Sequence, residues 1–423
     1  MAARLALWAT AVVFPVPLVI LMNVQMDDAG PLRFTISLGL IAYSWWLLAI
    51  LLSLRPRWLD RRLGLSTIYA LHGMLGVAAL VPAYLHRENT FAPTELARTL
   101  GDVAFWIAVG VLLWSVLFMS GWVTDRSAPV RRARQTLERI FRRRLSLWIH
   151  RLNLVVVLLI WLHVHLIERM TQHFEFMVLF DAYTVGALGL YVWKKWVAPD
   201  GFLLGTITQN VALNTTTRGI TVVLDQPSYA SRPGDFYFMR VETPDKASEW
   251  HPFSATDAGQ KALIFTIRQT GDFTRSLEKI EPGTRVRLEG PFGQFNTVLE
   301  RQDSQAPVVM LGMGAGVAPL LSLIAGHAHQ RRIRLLWSMR QPEDAYYRAE
   351  LSERQDIANG NLAVTRQIGR FRPEQLQKVL TEEEIVSGTF VLVGPNAAVL
   401  AQQRTLRRIG VRSAQIHHER LTM

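Results

Sequence analysis

Six long apolar runs crowd the first 197 positions, and nothing else in this chain limits its fold so severely. A helix rising ~1.5 Å per residue needs ~20 mostly apolar residues to cross the hydrocarbon layer of a bilayer. Residues 5–24, 34–54, 63–85, 100–121, 145–167 and 177–193 each come close to that length. The first run lacks the basic n-region and small-residue cleavage site of a secretory signal, so it reads as a span like the others. Eleven of the 13 tryptophans lie before residue 197, and beyond that point the composition becomes that of an ordinary globular protein. With 50% hydrophobic and 19% charged residues, a disordered chain is excluded. The absence of cysteine removes disulfides, iron–sulfur clusters, thiolate-ligated heme and the CxxCH attachment of c-type heme, so a redox metal here needs other ligands.

Basic residues set the expected orientation, because cytoplasmic loops retain Lys and Arg. Arg55, Arg57, Arg61 and Arg62 form one basic segment, Arg126, Arg131, Arg132, Arg134, Arg139, Arg142, Arg143 and Arg144 a second, and Lys194 and Lys195 close the last span. The loops between them are poor in Arg, which places both termini in the cytoplasm and suggests a bacterial inner membrane. The formal net charge of +12 is then largely a topology signal beside anionic lipid headgroups, and nucleic acid is not an expected partner.

Histidine inside a bilayer is expensive and marks function by default. The third run carries His72 and His86, and the fifth carries His150, His163 and His165. Steps of 14 and 13 residues correspond to roughly 21 and 20 Å along a helix. Both helices enter from the cytoplasmic side, so His72 is level with His150 near the inner surface and His86 with His163 near the outer one. Two cross-helix pairs at two depths can ligate two b-type hemes through imidazole alone. A 13-residue step turns well off the starting face, and a π-bulge would shift the phase toward His165, so helix geometry does not choose between His163 and His165.

The pattern H-x13-H on one helix and H-x12-H on another, within six spans, resembles the ferric reductase and NADPH oxidase superfamily of transmembrane flavocytochromes b. The shorter step is more similar to the NADPH oxidase branch, and that resemblance selects His163.

From about Phe202 the pattern changes. Short β-rich runs at 219–224, 236–241, 262–268 and 285–289 predict a small antiparallel barrel. Strands at 308–312, 333–338, 362–366 and 389–394 alternating with helices predict a doubly wound parallel sheet. Together with the segments below, this order is similar to the ferredoxin reductase family, which binds a flavin on its first domain and a nicotinamide nucleotide on its second. His251, Pro252, Phe253 and Ser254 match its HPF[ST] flavin segment. The resemblance implies that the Ser254 hydroxyl faces the flavin ring and that Arg268, Gly271 and Thr274 hold its phosphates, with His251 pointing the same way. Gly290 to Gly293 follow in the expected order. Gly312, Gly314, Gly316 and Pro319 lie at a strand-to-helix turn suited to a pyrophosphate. Ser338, Arg340, Gly369 and Arg370 resemble the family's pocket for an adenosine 2′-phosphate, which favours NADPH over NADH. Gly394 and Pro395 match the segment near the nicotinamide, although Val393 replaces a common cysteine and Leu421, after Glu419, replaces a common terminal aromatic.

The resemblance therefore implies a six-helix transmembrane heme domain (1–197), an FAD-binding β-barrel (198–302) and an NAD(P)-binding α/β domain (303–423). Its activity would be electron transfer from cytoplasmic NAD(P)H through FAD and two b-type hemes to an acceptor across the membrane. Oxygen, giving superoxide, comes first among acceptors and a ferric chelate second. A membrane quinone or partner protein, and a heme-free membrane protein with a fused flavin reductase, are the rival readings. Arg87 beside His86 is a candidate to stabilise an anion at the outer heme, or else a marker of the headgroup boundary. No EF-hand loop or partner-binding tail is visible, so no obligatory protein activator is expected.

Overall fold

A computed structural model describes residues 2–26, 30, 32–118, 143–197, 202–242 and 249–421. The second arginine-rich segment, apart from Arg143 and Arg144, and the end of the fourth apolar run lie outside these residues. The chain divides into two compact units. One comprises Met1–Pro56 and Thr67–Pro199, and the other Arg57–Ser66 and Asp200–Met423. Eight residues between the second and third spans and the first two of the third thus belong with the second unit.

Among the described residues, six helical segments, lying in the first unit but for the first two residues of the third, are long and apolar enough to cross a membrane: Leu5–Gln25, Leu32–Ser53, Leu65–Asn89, Glu95–Phe118, Leu145–His165 and Phe174–Val197. The first is interrupted at Phe14 and Pro15, because the proline ring cannot donate a backbone hydrogen bond. Many of the spans' large apolar side chains point outward, including Val81, Leu113, Leu158 and Val185. An outward apolar surface of this extent is suited to lipid rather than water. Inside, Leu47, Phe176 and Phe180 pack with Leu18 and Met22. Polar cross-links are few and specific. Tyr43 and Thr184 share a 2.8 Å hydrogen bond, Trp45 Nε1 donates to the Ala11 carbonyl at 2.8 Å, and the Gln25 amide donates to Glu175 at 2.6 Å. Each satisfies a group that hydrocarbon could not solvate.

In the second unit, β1 (Phe202–Asn214), β2 (Thr217–Leu224), β3 (Phe236–Val241), β4 (His251–Ala258), β5 (Ala262–Arg268) and β6 (Arg285–Phe292) close into an antiparallel barrel in the order β1-β2-β5-β4-β3-β6. Alternation sends Ile220, Val222, Tyr237, Met239, Phe265 and Leu288 into its interior. Strands β7 (Val308–Met313), β8 (Ile333–Met339), β9 (Leu362–Ile368), β10 (Thr389–Pro395) and β11 (Ile416–Leu421) form a parallel sheet in the order β11-β10-β7-β8-β9. Every residue of β7 is buried, as a central strand covered by helices on both faces requires. The chain reverses direction across the sheet between β7 and β10, so a crevice opens at their C-terminal ends.

Candidate functional site

Two histidines from different spans face each other in the helical unit. The rings of His72 and His150 lie 5.8 Å apart, centroid to centroid, with planes inclined by 57°. No group of three or more His, Asp or Glu side chains could hold a metal ion among the described residues.

Each imidazole is fixed through Nδ1 by a neighbouring span. His72 Nδ1 lies 2.8 Å from the Ala49 carbonyl and His86 Nδ1 2.8 Å from the Thr35 carbonyl, both on the second span. His150 Nδ1 lies 2.9 Å from Ser115 Oγ and His163 Nδ1 2.7 Å from the Ala97 carbonyl, both on the fourth. The second span therefore steadies both histidines of the third, and the fourth steadies both of the fifth. Using Nδ1 in this way leaves Nε2 as the available ligand atom and fixes the ring's orientation.

Two glycines make the outer contacts possible. A Cβ on Gly39 would stand 3.0 Å from the His86 ring, and one on Gly101 3.2 Å from that of His163. Each glycine follows its acceptor carbonyl by one helical turn, Gly39 after Thr35 and Gly101 after Ala97, so the bare backbone lets the imidazole reach the oxygen.

His165 is engaged differently. Its Nδ1 faces the Trp161 carbonyl at 2.9 Å, its Nε2 lies 3.3 Å from Asp181, and Trp161 Nε1 donates to the same carboxylate at 2.7 Å. The helix Arg143–His165 runs as uninterrupted α-helix, with no π-bulge. Arg87 is already neutralised. It pairs with Asp102 at 2.7 Å and with Glu88, and it lies over the rings of Phe105 and Trp106.

In the second unit, the HPFS segment forms the start of β4. The Ser254 hydroxyl is buried and has no hydrogen-bond partner among the described residues. Such an orphan is costly unless a ligand completes it. His251 stacks on Phe273, centroids 4.0 Å apart and planes 11° from parallel. Thr274 shapes the turn, since its Oγ accepts the N–H groups of Thr270 and Gly271 at 2.9 Å each. A Cβ placed on Gly271 would meet nothing within 4 Å, so the backbone there stands open. Arg268 reaches the glycine turn of the other domain: its Nη1 would lie 3.5 Å from a Cβ on Gly314.

That turn is compressed. Gly314 has φ +60°, and its carbonyl accepts from Trp337 Nε1 at 3.1 Å. A Cβ on Gly316 would fall 2.3 Å from the Val393 carbonyl oxygen, and one on Gly394 2.7 Å from Met313 Cβ. The ends of β7 and β10 thus approach as closely as bare backbone allows, just before the helix Ala318–His327 with Pro319 in its first turn. Ser338 Oγ donates to the Gly369 carbonyl at 2.7 Å, tying the ends of β8 and β9 together. Arg370 lines a cavity of about 490 Å³ with Arg372, Gln375 and Gln402.

Glu419, in β11, is only partly exposed. Burial, reinforced by the Asp60 and Asp235 carboxylates, pushes its pKa up to about 8, so it carries a proton at neutral pH.

Residues 207–296 match the family model of an FAD-binding domain, and residues 310–395 that of an oxidoreductase NAD-binding domain. The chain thus carries an FAD-binding domain and an oxidoreductase NAD-binding domain, preceded by six apolar helices. It is 37% identical over 149 residues to NADPH oxidase 1 of Mus musculus, covering 31% of this chain and 24% of the mouse protein. It is 28% identical over 157 residues to the reductase component of propane 2-monooxygenase from Mycolicibacterium smegmatis, covering 34% of this chain and 44% of that one. By these matches and the two domain models the chain is similar to flavin- and nicotinamide-binding oxidoreductases, NADPH oxidase 1 among them. The chain spans less than half the length of either relative. Among solved structures it is similar to the FAD/NAD-binding domain of nitric oxide dioxygenase from Vibrio cholerae, with 18% identity, coverage of 51% of this chain and 97% of that one, and a TM-score of 0.45.

Spacing alone did not reveal the residues that seat the histidines: Thr35, Ala49, Ala97, Ser115, Gly39 and Gly101. The one available signal was a glycine within each helper span, and glycine is common in membrane helices simply because it lets neighbouring backbones pack closely.

Proposed function

We propose that this protein carries electrons from cytoplasmic NAD(P)H through FAD and two b-type hemes to an acceptor on the far side of a bacterial inner membrane. Oxygen is the first candidate, with superoxide as product, and both termini lie in the cytoplasm. The observation that carries the reading is the double histidine pair with every Nδ1 occupied and every Nε2 side available. The His72 and His150 rings, 5.8 Å apart between centroids, leave space between them for a metal ion that the two imidazoles would hold. His163 is preferred over His165, because both ring nitrogens of His165 already have partners.

When bound, FAD would supply the conversion of a hydride's electron pair into single electrons, and b-type hemes would supply one-electron transfer. The chain's own residues do the rest. Ser254 offers a buried hydroxyl to the flavin ring, and Arg268 with the open backbone at Gly271 favours its phosphates. Gly314 and Gly316, before the helix that starts at Ala318, suit a dinucleotide pyrophosphate. Gly312, Gly394 and Pro395 border the same crevice. Arg340 and Arg370 favour a 2′-phosphate and hence NADPH. Glu419 holds a proton beside the module's carboxylates. His72 and His150 would hold the inner heme, and His86 and His163 the outer.

An anaerobic spectrum of the purified protein with NADPH, followed by admission of oxygen, tests the reading. Reduced heme bands, then superoxide-dismutase-sensitive dye reduction, are expected. Electrons passing only to a ferric chelate would make it a ferric reductase, and a yellow protein without a Soret band would overturn the heme assignment.

A further inference from the structure

On the outside of the barrel, two neighbouring strands carry a short row of hydroxyls, and a tyrosine from the sheet domain ends it. Phe253 and Ala255 in β4, with Leu263, Phe265 and Ile267 in β5, belong to the barrel interior, so alternation turns Ser254, Thr256, Thr266 and Arg268 to the opposite face. Thr256 and Thr266 are nevertheless buried. Their hydroxyls lie 2.6 Å apart, and Thr266 Oγ1 lies 2.5 Å from the Tyr347 hydroxyl. Ser254 and Arg268, read above as flavin residues, each stand two positions from a member of this row.

Tyr347 immediately precedes the helix Arg348–Ile357. Its ring meets that of Tyr346 edge-on with centroids 5.1 Å apart, Tyr346 meets Trp337 in the same way at 5.6 Å, and Trp337 is the residue that holds the Gly314 carbonyl. A continuous line of contacts therefore joins the glycine turn to the strands of the flavin segment. The same stretch of chain is tied to the barrel at a second point. Asn214, at the end of β1, donates to the Glu343 carbonyl at 3.2 Å and to the Asp344 carboxylate at 3.3 Å, and Asp344 also accepts the Arg340 N–H at 3.3 Å. All these residues lie in the second unit. Apolar contact alone has little directional preference, whereas hydrogen bonds fix both distance and angle. The hydroxyls of the row satisfy one another, so what they supply is registration between barrel and sheet domain.

We propose that Tyr347, acting through Thr266 and Thr256, is a positioning residue for hydride transfer: it sets how closely the glycine turn and the flavin strands approach, and leaves the affinity for either dinucleotide unchanged. The step breaks the C4–H bond of the reduced nicotinamide and forms an N5–H bond on the flavin, the electron pair travelling with the hydrogen. The rate of such a step falls steeply as the reacting atoms draw apart. The proposal rests on the reading of NAD(P)H as donor and FAD as first acceptor.

The test uses the full-length protein carrying Tyr347→Phe, Thr266→Val, the two combined, and Tyr229→Phe, an exposed tyrosine that serves as control. Phenylalanine keeps the ring packed on Tyr346 and removes only the hydroxyl, so the fold is retained. Anaerobic rapid mixing with NADPH and with its C4-deuterated form follows flavin bleaching, equilibrium titration gives the NADP+ affinity, and hydrogen–deuterium exchange without added nucleotide follows peptides covering residues 254–268 and 341–348. In both single variants bleaching is expected to slow about tenfold with a larger deuterium isotope effect, while NADP+ affinity and FAD content stay within about twofold of wild type and both peptides exchange faster. The double variant is expected to be no slower than the slower single one, because both changes break the same contact. Bleaching at the wild-type rate in both single variants, unaltered exchange, or a loss of NADP+ affinity or FAD content that matches the loss of rate would each overturn the positioning role. A wild-type protein whose flavin neither NADPH nor NADH bleaches fails the donor reading and the positioning role with it, whereas normal bleaching of wild type with indifferent variants fails the positioning role alone.

Discussion

The tightest constraints are single atoms. Gly39 and Gly101 are the places where a helper span has no side chain opposite an imidazole, and one methyl group at either would press on the ring. Gly101→Val should displace His163 and lower the heme content toward one per chain, while Gly110→Val, on the same span with open space at its Cβ, should leave it unchanged. Pyridine hemochrome measurement decides between them. Glu419 supplies a pH signature. The folded chain keeps its proton up to about pH 8, well above the ordinary carboxyl range. The stabilisation from the protonated form is therefore complete below that range and disappears as pH rises through the folded-state value. Glu419→Gln should flatten the fall in thermal-unfolding temperature from about pH 5 to about pH 9, as measured by calorimetry. Arg340 and Arg370 belong to the same scale. Removing a charge-assisted phosphate contact costs ~1.5–3 kcal/mol, so Arg340→Ala should raise the KM for NADPH about tenfold or more and leave that for NADH nearly unchanged.

At the scale of elements, the nucleotide crevice depends on two strand ends meeting backbone to backbone. Gly316 has no room for a side chain against the Val393 carbonyl, and the Gly314 turn is pinned by Trp337. Gly316→Ala should force β7 and β10 apart, weakening NADPH binding about tenfold or more in an equilibrium titration, with FAD content preserved because the barrel has its own core. The strand–glycine–helix order was legible in the sequence because the Gly-x-Gly-x-Gly cluster, common enough by itself, falls at the strand-to-helix turn where a dinucleotide site requires it. Trp337 was not, because its indole is recruited from the next strand and nothing local marks it.

At the scale of the whole molecule, the two units answer to different solvents. The helical one displays apolar side chains outward, whereas the flavoprotein unit encloses two separate apolar cores within its sheet domain and a third within the barrel. Damage in the helices should therefore leave the module's own chemistry intact. His72→Leu should abolish transfer to the far-side acceptor yet leave NADPH-driven reduction of a soluble dye within about twofold of wild type.

The sequence by itself determined the six spans, the barrel, the parallel sheet and the order of the nucleotide-binding segments. Hydrophobic period and glycine placement are local properties, and the solvent or ligand that each serves is implied by composition. Helical phase left His163 and His165 open. Tertiary structure gave His163 the Ala97 carbonyl across a bare glycine and gave His165 to Asp181. It likewise turned an arginine-rich loop into part of the flavoprotein unit, through Asp60 and Arg61 meeting partners more than 170 positions away. A hydrogen bond depends on distance and direction in space, and residues so far apart in the chain acquire both only once the backbone between them has folded.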